Sequence, residues 1–187
     1  MKKVSLVILA LLMLISFSTA VKAQTDAFMY LNITIVQAGL NIASHFSNIT
    51  WGVGNGVFTI SSSNVKGTIE NTGTDLVDLQ VKCTNATGWT PSTTTNVTAS
   101  TFCLQGVFCP YNTTLAHTDF ATDDIITSTL TACGASAYAR PADPAYSKGM
   151  DMPSAQVINM RFRFKPPTGT VNGTTRSVTV RVRGVAG

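Results

Sequence analysis

The sequence is short of most of what chemistry at a site requires. It has only two histidines, His45 and His117, and nine carboxylates in 187 residues. It contains no G-x-S-x-G elbow, no H-E-x-x-H pair and no phosphate-cradling glycine loop. Reactive groups able to converge on a substrate are therefore scarce, and the expected function is non-enzymatic. The absence of C-x-x-C disfavours a dithiol redox centre and a thiolate zinc site. Past residue 15 no apolar run is long enough to cross a bilayer. Nothing in the pattern anchors the chain to a membrane once its leader is gone.

That leader is the first thing present. Lys2 and Lys3 precede an apolar run from Val4 to Ile15, and small residues follow at Val21-Lys22-Ala23. This is the layout of a secretory signal peptide cleaved after Ala23. The expected organisation is a signal peptide at residues 1–23 and one domain at residues 24–187, long enough for a single sizeable core. The location that follows is secreted or cell-surface. Lys2, Lys3 and Lys22 leave with the leader, so the formal charge of +4 falls to +1. A binder of nucleic acid needs a larger basic excess to release counterions from phosphates. All four cysteines, Cys83, Cys103, Cys109 and Cys133, lie in the exported part, where oxidation favours disulfides. Four cysteines allow three pairings. The pairing expected is Cys103–Cys109 across the LQGVF stretch and Cys83–Cys133 tying a strand to a later segment.

Alternation dominates the exported part. Leu31, Ile33 and Ile35 alternate with polar neighbours, as in a half-buried strand. Val65, Gly67 and Ile69 form a second row, and after the turn Asn71 to Asp75 a third follows at Val77, Leu79, Val81 and Cys83. These two rows read as a hairpin. Further candidate strands are Val57 to Ser61, Ile125 to Thr131, Ile158 to Lys165 and Ser177 to Arg183. Twenty-eight threonines and 15 serines favour strands and polar turns over helices. Two segments, Phe102 to Thr122 and Gly134 to Pro153, break the rhythm and read as long loops, of a length that tends either to carry function or to be mobile. The expected fold is all-β: a single antiparallel β-sandwich, Ig-like, of seven to eight or more strands, with two long loops and two disulfides. A partly closed barrel is the alternative.

The phrase VKGTIENTGTDLVDLQVKC and the later MRFRFKPPTGTVNGTTRSVTVRV resemble the Ig-like β-sandwich domains of prokaryotic secreted surface proteins. There, a strand, an N-T-G turn and a V-D-L-x-V strand occur early, and a P-x-G-T turn precedes the final alternating strand. The resemblance covers about a quarter of the chain. It implies a surface layer, fibre, adhesin or spacer, and so a location more than a chemistry. Four cysteines and two long loops depart from a plain spacer and leave room for a binding role.

Six N-x-T triplets begin at Asn32, Asn48, Asn85, Asn96, Asn112 and Asn172. In a host with N-glycosylation these are candidate glycan sites; otherwise they are polar turn and strand residues. His117, Asp119, Asp123 and Asp124 offer oxygen-rich ligands suited to Ca²⁺, but they match no EF-hand spacing, and the bland alternative is a solvated loop. No metal or cofactor is assigned. Trp89, Tyr111, Tyr138 and Tyr146 raise the question of stacking on sugar rings, while Trp51 reads as core.

Two basic rows stand out near the end. Arg161, Arg163 and Lys165 alternate with Ile158, Met160, Phe162 and Phe164, and Arg181 and Arg183 with Val178, Val180 and Val182. If the two strands pair as a hairpin, their like charges oppose one another at a cost of a few tenths to about 1 kcal/mol per close pair. The rows are then either a solvated face guarding the sheet from edge pairing or an interface covered by the acidic middle loops of a neighbouring copy. The expected function is a structural subunit of an extracellular filament or coat that self-associates into a homopolymer. Its N-terminal strand at Leu31, Ile33 and Ile35 either completes its own domain or fills a groove in the next copy. The alternative is an adhesin whose long loops recognise glycans or a cell-surface protein.

Overall fold

The structure, a computed structural model, describes residues 28–35, 42–46, 49–52, 59–60, 67–134, 136–168 and 176–187, with side chains from residue 67 onward. The segment 1–23 expected to be a signal peptide and the sequons Asn48 and Asn172 lie outside the described residues, as does the side chain of Asn32. Eleven strands are described: β1 (Phe28–Ile35), β2 (Ile42–Phe46), β3 (Ile49–Gly52), β4 (Thr59–Ile60), β5 (Gly67–Asn71), β6 (Val77–Cys83), β7 (Thr90–Pro91), β8 (Thr101–Pro110), β9 (Thr131–Ala132), β10 (Val157–Lys165) and β11 (Arg176–Ala186). The only helical pieces among the described residues are single 3₁₀ turns at His117–Asp119, Thr122–Asp124 and Ala145–Lys148.

The chain is all-β and forms two sheets. The first has the order β3-β1-β11-β6-β9, and the second β2-β5-β10-β8-β7, with β4 also pairing with β10. Alternation sets the faces. Val77, Leu79, Val81 and Cys83 of β6 and Val178, Val180 and Val182 of β11 are buried. They share one apolar cluster with Ile69 of β5, Phe102, Leu104 and Phe108 of β8, and Ile158, Met160, Phe162 and Phe164 of β10. The core therefore lies between the two sheets. Burying each such side chain contributes about 1.5–3 kcal/mol. Gly106 sits in the inner row of β8, where a Cβ would lie 2.5 Å from Met160 Cε and 2.7 Å from Ile126 Cδ1. Its bare backbone leaves room for those two side chains.

The expected rows hold, but the expected partners do not. β5 and β6 were to form a hairpin across the turn at Asn71 to Asp75, yet β5 pairs with β10 and β2 while β6 pairs with β11. β10 and β11 likewise belong to different sheets. Both connections cross between sheets, because alternation fixes which face is buried and leaves the neighbour open. The buried Asn71 pins the first crossing: its Nδ2 donates to the carbonyls of Asp75 and Met152, both at 2.8 Å, and its Oδ1 accepts the Gly73 N–H.

A second correction concerns the segment Phe102 to Thr122. Its first half is the ten-residue strand β8, paired with β10 from Ile158↔Pro110 to Lys165↔Cys103. The strand is buried on both faces, so it shows no alternation and did not register as a strand. This placement also overturns the expected disulfides. All four cysteines are free thiols. Six residues of extended chain put Cys103 and Cys109 about 20 Å apart, far beyond disulfide reach. Cys133 donates its N–H to Leu79 O at 2.9 Å, four strand residues and about 13 Å from Cys83. Ile125 to Thr131 is not one continuous strand either: Ile125 makes a single antiparallel bridge to Gln105 of β8, and Thr131–Ala132 pairs with β6.

Candidate functional site

The segment from Tyr111 to Ile126 lies as a strap across the outer face of the second sheet. Two short turns shape it, each written Ala-x-x-Asp in the sequence. Asp119 Oδ2 accepts the Ala116 N–H, and Asp124 Oδ2 accepts the Ala121 N–H, both at 2.7 Å. Each carboxylate reaches back three residues to an amide at the start of its turn, as in half of a capping box. Leu115 and Phe120 of the strap cluster with Val107 and Cys109 of β8.

The cationic row of β10 holds this strap down. Arg161, 3% exposed, donates from Nη2 to Thr113 O at 2.9 Å. Arg163 donates from Nη1 to His117 O at 2.7 Å, from Nη2 to Phe120 O at 3.2 Å, and from Nε to Gln105 Oε1 at 2.8 Å. Its guanidinium also lies 5.2 Å from the centre of the Phe120 ring, an added cation–π attraction. Gln105, fully buried, passes the connection on by donating from Nε2 to Ala121 O. Lys165 donates to Thr95 O at 3.0 Å. The row expected to meet solvent or a neighbour's acids is covered by this chain's own carbonyls. A guanidinium suits this work, since its planar fork serves several acceptors at once.

Asp124 joins the strap to the second long loop. Its side chain is fully buried. Oδ2 holds Ala121, and Oδ1 accepts the Ala139 N–H at 3.2 Å. Burial pushes this carboxyl up to about 7, against the opposing pull of its amide donors. Next to it Tyr138 is buried and donates its hydroxyl to Ile125 O at 3.3 Å. Arg140 grips Asp143 with two bonds of 2.7 and 2.8 Å and lies 3.9 Å from Asp119.

The three carboxylates considered for Ca²⁺ are thus not brought together: Asp124 points inward, Asp119 toward Ala116 and Arg140, and Asp123 to solvent. Among the described residues no three metal-ligating side chains converge.

The segment Gly134 to Pro153 is a loop, as expected, but it seals a sheet edge. Val77 and Met152 exchange both backbone bonds, at 3.1 and 2.9 Å, and Leu79 donates to Gly149 O at 2.7 Å. Cys83 donates to Thr127 O at 2.8 Å. The edge of β6 is therefore spent internally, which protects against unwanted strand addition. Gly149 takes the left-handed φ of 76° that this path requires.

The aromatic candidates for sugar stacking are mostly enclosed. Tyr138 is buried, and Tyr146 is half-buried against the core. Trp89 is buried, with the Arg176 guanidinium 4.5 Å above its ring. Tyr111 alone of the described aromatics is largely exposed, at 55%. Asn85, Asn96 and Asn112 are exposed, as are the threonines that complete their sequons, Thr87, Thr98 and Thr114. Arg181 is exposed and Arg183 half-exposed on β11. The residues that sequence reasoning missed are Gln105, Thr113 and Phe120.

Neither a protein-family model nor a curated protein gives a match to the chain.

Proposed function

We propose that this chain is an Ig-like β-sandwich subunit of an extracellular, non-enzymatic assembly, a filament or surface coat, exported by its first 23 residues. In this reading the strand β1 is the piece passed between copies. The observation that carries it is the pairing of the N-terminal strand with the C-terminal one. β1 runs parallel to β11 over seven positions, from Met29↔Arg176 to Ile35↔Val182. A parallel pair needs no hairpin, so no tight turn ties β1 to the strand it completes. The same register is open to a β1 from another copy, as in strand addition. Without β1 one edge of β11 is bare, although Val178, Val180 and Val182 belong to the core.

The long loops support the same reading over the adhesin alternative. One is strapped to a sheet face and the other seals an edge, so neither is a free recognition loop. The exposed sequons Asn85, Asn96 and Asn112 are the positions where an exported copy would carry glycans in a host that makes them. The test is a variant lacking Gln24 to Val36, followed by size-exclusion chromatography, electron microscopy and circular dichroism. Loss of polymer with a folded monomer supports strand exchange. An unfolded monomer means that the strand completes its own domain.

A further inference from the structure

The two sheets differ in how their outer faces are used. The outer row of β10 is engaged by the chain's own strap, whereas the outer rows of β6 and β11 stand half-exposed or exposed: Asp78, Gln80 and Lys82 on one, Thr179, Arg181 and Arg183 on the other. In the ladder Lys82 stands opposite Arg181, and Gln80 opposite Arg183. Like charges directly opposite destabilise a strand pair unless an anion lies between them. The described ion pairs are those of Arg140 with Asp119 and Asp143, and none involves Lys82, Arg181 or Arg183.

The other end of the same strands has the opposite sign. Asp78 stands four residues before Lys82, about 13 Å along the strand. Its Oδ1 accepts the Asp151 N–H at 2.8 Å, which brings the exposed Asp151 beside it. Asp75, also exposed, lies in the turn that enters β6, and its carbonyl shares the Asn71 amide with that of Met152. This face is therefore polarised along its strands, acidic where β6 begins and basic where it ends. The split differs from the one expected between the middle loops and the last two strands, since the β10 cations Arg161, Arg163 and Lys165 bond to this chain's own carbonyls.

We propose that the basic end of this face, Lys82 and Arg181, docks onto the acidic end of a second copy, Asp75, Asp78 and Asp151, head to tail along the strand direction. The inference rests on the reading of the chain as an assembling subunit, and it names the surface that subunit uses. Such a contact is heterologous: each added copy presents a fresh end of the same sign, so the contact propagates as a filament unless its rotation closes a ring. The opposed charges steer the encounter and fix its orientation, and salt weakens it as the screening length falls to about 8 Å.

The experiment is reciprocal charge reversal, read by sedimentation velocity of the exported chain at low salt. Lys82→Glu with Arg181→Glu makes both ends acidic, and Asp75→Lys with Asp151→Lys makes both basic. Each variant alone is expected to self-associate at least about tenfold more weakly than the natural chain, and an equimolar mixture of the two to recover assembly. Unchanged melting curves identify folded variants, and Lys82→Gln with Arg181→Gln repeats the test in milder form if reversal unfolds the chain. A reversed variant that assembles like the natural chain, or a mixture that does not recover, overturns the docking surface and leaves the subunit reading standing. A natural chain that stays monomeric throughout overturns both.

Discussion

A buried carboxylate is costly unless something compensates it, and Asp124 shows how nearly the two sides balance. Its oxygens accept the Ala121 and Ala139 amides, which favour the ionised form. Burial opposes them more strongly, with a smaller push from Asp123, and lifts the carboxyl to about 7 from an ordinary 3.8. Arg163 and the Tyr138 ring are its other near neighbours with charge or a titratable group. Because the folded value lies above the unfolded one, the folded state binds the extra proton between pH 4 and 7. The stability this contributes is fully present below about pH 4 and is lost as pH rises through 7. Asp124→Asn removes that slope. It also leaves one of the two amides without an acceptor, at a cost of about 1–3 kcal/mol. Melting temperatures of both proteins from pH 4 to 8 check this. The natural chain should lose stability relative to the variant as pH rises, and parallel curves would show that Asp124 does not titrate there.

At the scale of elements, the strap and the edge seal turn two apparent binding loops into structural cover. Arg163→Ala removes the donors to His117, Phe120 and Gln105 together and orphans the buried Gln105 oxygen. The expected loss is about 2–3 kcal/mol, and it should fall on one segment first. Cys109 lies under the strap with Phe120, its thiol pushed up to about 11 by burial. Cys83 lies in the central core at about 12. Thiol labelling should therefore reach Cys109 well before Cys83 in the variant, whereas a single shared rate would mean that the strap opens only with the whole fold.

These elements also show what was legible. The inner rows of β6, β10 and β11 could be read residue by residue, because polar or charged residues alternate with them, even in β10, where Asn159 and Arg161 of the outer row are buried. β8 could not, because the strap buries its second face and erases the alternation. The Cys103–Cys109 pairing fails for the same reason, since a loop would bring these positions close and the strand β8 holds them apart. The partners of Arg161 and Arg163 are backbone carbonyls, which sequence cannot display. Asp119 and Asp124 were visible as acids, but their back-bonds to Ala116 and Ala121 arise only once the turns close.

For the whole molecule, the decisive pairing is β1 with β11, because it joins the first and last described strands and leaves open whose β1 takes part. With the β6 edge sealed by Met152, Gly149 and Thr127, the proposed exchange of β1 would use the β11 side of this sheet. A peptide of residues 24–36 added to the variant lacking them should therefore bind at that edge. A ligand that binds only the folded state stabilises it by an amount set by its concentration, about 2.7 kcal/mol at a hundredfold excess over Kd. The melting temperature of the shortened chain should climb with peptide concentration, while a scrambled peptide leaves it unchanged. Equal response to both peptides would mean that the β11 edge does not read the register from Met29 to Ile35, and that exchange of this strand cannot hold an assembly together.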